Sequence, residues 1–210
     1  MARPDQSFYL AHFTKNGKEY NSDLQNDNPT VDQMSALDRL INILRTKTIY
    51  ATPMKWTNQL AVCFTECPWS SLLQHAKNYS CYGIGFTKKF IFSRGGNPVI
   101  YANPVMYKSQ QWSKEVYPFV TPLVPNYATE KVKGSYPFNG KTVDYSHERE
   151  WRVTKNLTFQ FQNVWFIILD KVADLRKIPP EIIEEVGIEK FLFMDTYKKI
   201  EELWPTHLMN

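Results

Sequence analysis

The 210-residue sequence predicts an α+β fold, a single domain over residues 1–210 with a split, mixed or antiparallel β-sheet core and flanking helices. Three observations lead there. Short β-branched and aromatic runs outnumber amphipathic ones, their order is mixed rather than strictly alternating, and the length suits one compact domain. Hydrophobic residues make up 43% and charged residues 22%, which supplies a core without a disulfide or metal staple and excludes general disorder.

Phe8–Phe13 is short and aromatic and predicts a first strand, with His12 near its end. Met34, Leu37, Leu40, Ile41 and Leu44 then recur at three- and four-residue steps, which predicts a helix, and Thr30 with Gln33 suits a capping box ahead of it. Thr48–Ala51 and Ala61–Thr65 follow as strands, and Ser70–Ala76 as one or two helical turns. Tyr82–Phe86 predicts a strand whose Gly83 and Gly85 admit a close neighbour. Thr87 caps a short helix ended by Gly95 and Gly96, before a strand at Val99–Ala102. Five prolines break the pattern between Asn103 and Tyr145, so residues 103–145 form an irregular insertion with some helix concealed in it. Glu148–Val153, Val164–Leu169 and Phe191–Met194 are strands, Pro180 opens a helix, and Thr196–Leu203 is the last helix.

The formal charge of +4 is unevenly spread. Residues 170–210 carry six Lys/Arg against nine Asp/Glu, a net of −3, which leaves +7 for residues 1–169. That front section would attract an anionic ligand such as a dinucleotide or a nucleic acid. The longest apolar run, Val164–Leu169, is far too short to cross a bilayer, and the first residues lack a secretory pattern, so the expectation is a cytoplasmic protein with no membrane role. Three cysteines, an odd number, fit reduced thiols.

The densest polar cluster is His147-Glu148-Arg149-Glu150-Trp151-Arg152. On a strand, the period of two places Glu148, Glu150 and Arg152 on one face, where two carboxylates and a guanidinium would hold ribose hydroxyls and stabilise a developing positive charge. An exposed, salt-bridged strand is the plainer alternative. His12 and Thr14 share a face of the first strand, and both hydrogen-bond to hydroxyl or amide groups. Asp144, Glu148 and Glu150 offer a rival arrangement, the magnesium site of a nuclease with Arg152 supporting the phosphate. Cys63, Cys67, His75 and Cys81 have metal-capable groups at spacings unlike common zinc modules, and Cys63 fits a buried strand position better. Neither Gly83-x-Gly85 nor Gly95-Gly96 has the spacing of a dinucleotide fingerprint. The tyrosines and lysines between Tyr107 and Tyr145 would stack nucleobases and meet phosphates, although core packing is the commoner use of such rings.

His12-Phe13-Thr14 on a first strand, the helix with Leu40-Ile41-Asn42-Ile43-Leu44, the strand Cys63-Phe64-Thr65-Glu66 and a late Glu150 resemble the ADP-ribosyltransferase layout, in particular that of the DarT toxins. Cys63-Phe64-Thr65-Glu66-Cys67-Pro68, Tyr82-Gly83-Ile84-Gly85-Phe86-Thr87-Lys88 and Glu148-Arg149-Glu150-Trp151-Arg152 are similar to the AbiGi-type abortive-infection proteins of phage defence, over roughly residues 8–155. The resemblance implies an ADP-ribosyltransferase-like fold and transfer of ADP-ribose from NAD, without a metal, to a nucleic acid or protein in an antiphage or toxin–antitoxin setting. It implies that His12 contacts the adenosine-side ribose, that Thr14 lies near the nicotinamide end, and that Glu150 binds the nicotinamide ribose. Glu148 would activate the acceptor, with Arg152 beside the pair. Phe13 and Thr65 flank these positions, and Phe64, Tyr82 and Tyr50 remain open as the aromatic against nicotinamide. A cognate antitoxin partner, or a non-catalytic ligand-sensing or antitoxin-like module on the same scaffold, belongs to the same setting.

Overall fold

The structure, a computed structural model, describes residues 7–22, 30–66, 80–133 and 140–203. Strand β1 (Tyr9–Phe13) leads to helix α1 (Ala36–Thr46), followed by β2 (Thr48–Ile49), β3 (Thr52–Pro53), β4 (Leu60–Phe64) and β5 (Gly83–Thr87). Next come α2 (Lys88–Ser93), β6 (Asn97–Pro98), β7 (Ile100–Ala102), α3 (Pro104–Ser109), β8 (Val120–Pro122) and α4 (Glu130–Lys133). The chain closes with β9 (Trp151–Val153), β10 (Leu157–Thr158), β11 (Val164–Leu169), α5 (Pro180–Val186), β12 (Phe191–Phe193) and α6 (Met194–Leu203).

Two four-stranded sheets organise these pieces, in the orders β1-β5-β11-β12 and β3-β4-β9-β6. The first is mixed, since β11 pairs with β12 in parallel and its other ladders are antiparallel; the second is antiparallel throughout. They join where Ala11 and Thr65 exchange both backbone hydrogen bonds, at 3.0 and 2.8 Å. The expected α+β class with a mixed sheet is therefore present, and the sheet is split at this seam. Short ladders β2–β10 and β7–β8 flank it.

Helix α1 buries Leu37, Leu40, Ile41 and Leu44 in the main core with Phe64, Phe86 and Phe159. Its cap lies further along than Thr30 and Gln33. The Ser35 hydroxyl accepts from the Asp38 N–H at 3.1 Å, and the Asp38 carboxylate accepts from the Ser35 N–H at 3.3 Å. Thr30 and Gln33 instead close a preceding turn, with the Thr30 N–H donating to Gln33 Oε1. Ser35 wins because it stands next to the first buried helical residue, Ala36.

Gly85 fits the expectation of a close neighbour. A Cβ placed there would lie 2.2 Å from the ring of Phe166 on the adjacent β11. The neighbour is thus a core ring.

Residues 103–145 are more regular than their prolines suggest. Asn103 caps α3 by accepting from the Met106 N–H at 2.9 Å, and Pro104 occupies the first turn, where its missing N–H costs nothing. Val124 and Val143 form a small second core with Trp56, Tyr107, Ala128 and Val132, so Tyr107 packs inward. Tyr136 and the predicted turns at 70–76 lie outside the described residues.

The strand expected from Glu148 begins only at Trp151. Asp144 accepts from the Ser146 N–H and hydroxyl, which starts a 3-10 turn over Ser146–Glu148, and Arg149 takes a left-handed φ of 45°. That kink cancels the two-residue alternation between Glu148 and Glu150. Replacing Gly85 with alanine should cost about 1–3 kcal/mol in urea unfolding through overpacking, and Phe166→Leu in the same chain should restore part of the loss.

Candidate functional site

A cavity of about 620 Å³ lies at the split, walled by the end of β1, by α1, by the β2–β4 segment and by the residues leading into β9. It has an apolar lining from Ile43, Ile49, Val62 and Phe64. Nine of the ten site residues expected from sequence face it: His12, Phe13, Thr14, Tyr50, Phe64, Thr65, Glu148, Glu150 and Arg152. Tyr82 does not.

His12 comes from β1, and its Nδ1 is 2.8 Å from the Cys63 carbonyl oxygen on β4. A carbonyl only accepts, so Nδ1 carries the proton and Nε2 is left as an acceptor. Burial holds the imidazole below its ordinary pKa, and the bond to Cys63 offsets only part of that shift. Its ring meets Phe64 edge-on at 5.9 Å.

Thr14 and Thr65 are buried, and both hydroxyls are spent on the backbone. Thr14 donates to the Ala36 carbonyl at 2.7 Å and ties β1 to the start of α1; Thr65 donates to the Glu148 carbonyl at 2.7 Å. Phe13 packs with Ala11, Ile168 and Met194, and Tyr50 is largely exposed at the rim.

Glu150 and Arg152 form a buried, two-pronged ion pair. Arg152 Nε donates to Glu150 Oε1 at 2.8 Å and Nη2 donates to Oε2 at 3.0 Å. Nη2 also donates to Thr121 Oγ1 at 2.6 Å, while Nη1 donates to the carbonyls of Pro118 at 2.8 Å and Val120 at 3.4 Å. A guanidinium has five N–H donors, and all five are engaged by the protein. Arg152 therefore has no donor left for a phosphate, and its place here is to fix Glu150 and to fasten β9 to the residues around β8. Cys63 lines the same wall with its sulfur 3.4 Å from that of Met54; burial first and the neighbouring Glu150 second push its thiol well up, so it stays protonated and poorly nucleophilic.

Tyr82 is a correction to the sequence expectation. Its hydroxyl donates to Asp174 Oδ2 at 3.1 Å, and the residue, just ahead of β5, packs on the main core and outside the cavity lining. The carboxylate triad of the nuclease alternative does not assemble either. Asp144 is used in the turn at Ser146, and among the described residues no three His, Cys, Asp or Glu side chains are grouped as a metal site requires. Cys81 sits beside Asp170 and Lys198, its thiol pushed up to about 11 by burial and then by Asp170. Cys67 and His75 lie outside the described residues.

Sequence reasoning missed Lys15, Arg39, Lys55 and Trp56, which also line the cavity. Their one signal was the positive excess of residues 1–169.

Residues 38–179 match the family model described as "Putative abortive phage resistance protein AbiGi, antitoxin". That span exceeds half of the chain, and the chain belongs to the AbiGi family. No curated protein and no solved structure matches it. Among the described residues, no helix is long and apolar enough to cross a membrane.

Breaking the buried pair by Glu150→Gln should lower stability by about 3–5 kcal/mol in urea unfolding, because Arg152 keeps its charge in a dry site; Glu150→Met with Arg152→Met should recover most of it. His12 gives a pH dependence. Its folded pKa lies below the ordinary value of 6.5, so the unfolded chain takes up the proton first; stability is fully present above that pH and is lost as the pH falls below it. His12→Gln should flatten the fall in melting temperature between about pH 7.5 and 5, a range that brackets the ordinary histidine pKa.

Proposed function

We propose that this chain is the antitoxin of an abortive-infection pair and neutralises a toxin by binding it, without catalysing a reaction of its own. The observation that carries this reading is the state of Glu150. Both of its oxygens are held by a buried Arg152 that has no spare donor, which is the arrangement of a structural ion pair rather than of a carboxylate waiting for a ribose. The family description names an antitoxin and abortive phage resistance, in agreement with that role. The partner is then a toxin, in line with the antitoxin-like module that the sequence also allows.

A second reading is transfer of ADP-ribose from NAD to a nucleic acid or protein, favoured by one observation: His12 and Glu150 face a common cavity, and His12 presents a bare Nε2 to it. In that case the carboxylate would meet the positive sugar as nicotinamide leaves, and Glu148 would face the acceptor.

Expression of the chain alone should leave growth unchanged, and co-expression with its cognate toxin should restore growth that the toxin alone arrests. The purified chain should release nicotinamide from NAD no faster than buffer does. Steady release that Glu148→Gln abolishes, with the variant's melting temperature unchanged, would replace this reading by ADP-ribose transfer.

A further inference from the structure

The charge on the cavity wall is unbalanced. Lys15, Arg39, Lys55 and Arg152 face it against Glu148 and Glu150. Arg152 is matched by Glu150, and Arg39 is shared with Asp32, whose Oδ1 lies 3.5 Å from its Nη2 outside the lining. Lys15 and Lys55 are exposed and, among the described residues, have no carboxylate partner. Arg39 is held in place by the Val31 carbonyl, which accepts from Nε at 3.0 Å and from Nη2 at 2.6 Å, so its guanidinium is ordered before any ligand arrives.

The rest of the wall asks for two other chemistries. Tyr50, largely exposed, lines the cavity and offers an aromatic face suited to a flat heterocycle, while Lys55 lies 4.6 Å over the ring of Trp56. His12 Nε2 accepts a hydrogen bond, as a sugar hydroxyl requires. A volume of about 620 Å³ falls within the range of small-ligand pockets.

We propose that the cavity is a binding site for a nucleoside diphosphate, with Lys15, Arg39 and Lys55 reading the diphosphate. An isolated anion leaves the apolar wall and the His12 acceptor unused, and a nucleoside leaves the three cations unused. This inference goes beyond toxin neutralisation and stands whether or not that role holds, because it concerns a ligand of the free chain.

Tryptophan fluorescence and calorimetry on the full chain with ADP, adenosine and inorganic pyrophosphate test it. ADP should bind at least about tenfold more tightly than either fragment, and its affinity should fall as salt rises. Lys15→Gln with Lys55→Gln should cost ADP about tenfold or more and leave adenosine unchanged. Neither lysine is in an ion pair with the described residues, so the melting temperature should hold. Equal binding of ADP and pyrophosphate, equal binding of ADP and adenosine, or undiminished ADP binding by the double variant would overturn the proposal. The same variant in the growth-rescue experiment separates the two readings, since rescue does not depend on ADP affinity.

Discussion

The site depends on one buried ion pair. Glu150 and Arg152 are two residues apart on the strand side of a left-handed kink, and neither could be buried there alone, since an unpaired charge in a dry wall costs several kcal/mol. Their mutual bonds satisfy the carboxylate, and the remaining donors of Arg152 reach Thr121, Pro118 and Val120. One guanidinium thus connects an inner strand of the second sheet, β9, to the segment around β8, and it fixes the cavity wall that carries Glu150. The same bonds that make this wall rigid occupy the carboxylate a transferase would use.

The seam between the sheets depends on this wall. Thr65 pairs with Ala11 through its backbone and with the Glu148 carbonyl through its hydroxyl, while Glu66 donates its N–H to the same carbonyl at 3.2 Å. The 3-10 turn that displaces Glu148 from the strand therefore brings its backbone onto β4. His12 ties the other side, from β1 to the Cys63 carbonyl. Polar side chains along the split mostly serve to hold the two sheets at a fixed opening, and the imidazole retains its second nitrogen.

The elements most legible in the sequence were those set by local physics. The α1 stripe, the Thr87 cap and the six apolar residues of β11 follow from periodicity and capping chemistry, and each is present. Glu150 and His12 line one cavity, a proximity that the spacing of residues in the chain does not fix. What could not be read was anything decided by a long-range partner. The role of Arg152 depends on carbonyls more than thirty residues away, and the direction of Tyr82 depends on Asp174, ninety-two residues on. The kink at Arg149 was hidden because its cause, the Asp144–Ser146 turn, lies outside the hexapeptide that drew attention. The cations of the cavity were visible only as an overall excess, since three distant segments contribute one each.

The single Ala11–Thr65 bridge has a consequence for how insertions are tolerated. Each sheet sets its own alignment through its own ladders, so a residue added to the turn between β3 and β4 is absorbed without shifting β1 against β5. A residue added within β4, between that turn and Thr65, instead moves Thr65 away from Ala11. Length changes are thus forgiven on the outer strands and penalised at one doorway residue, which makes the spacing between that turn and Thr65 the dimension this protein has least freedom to alter.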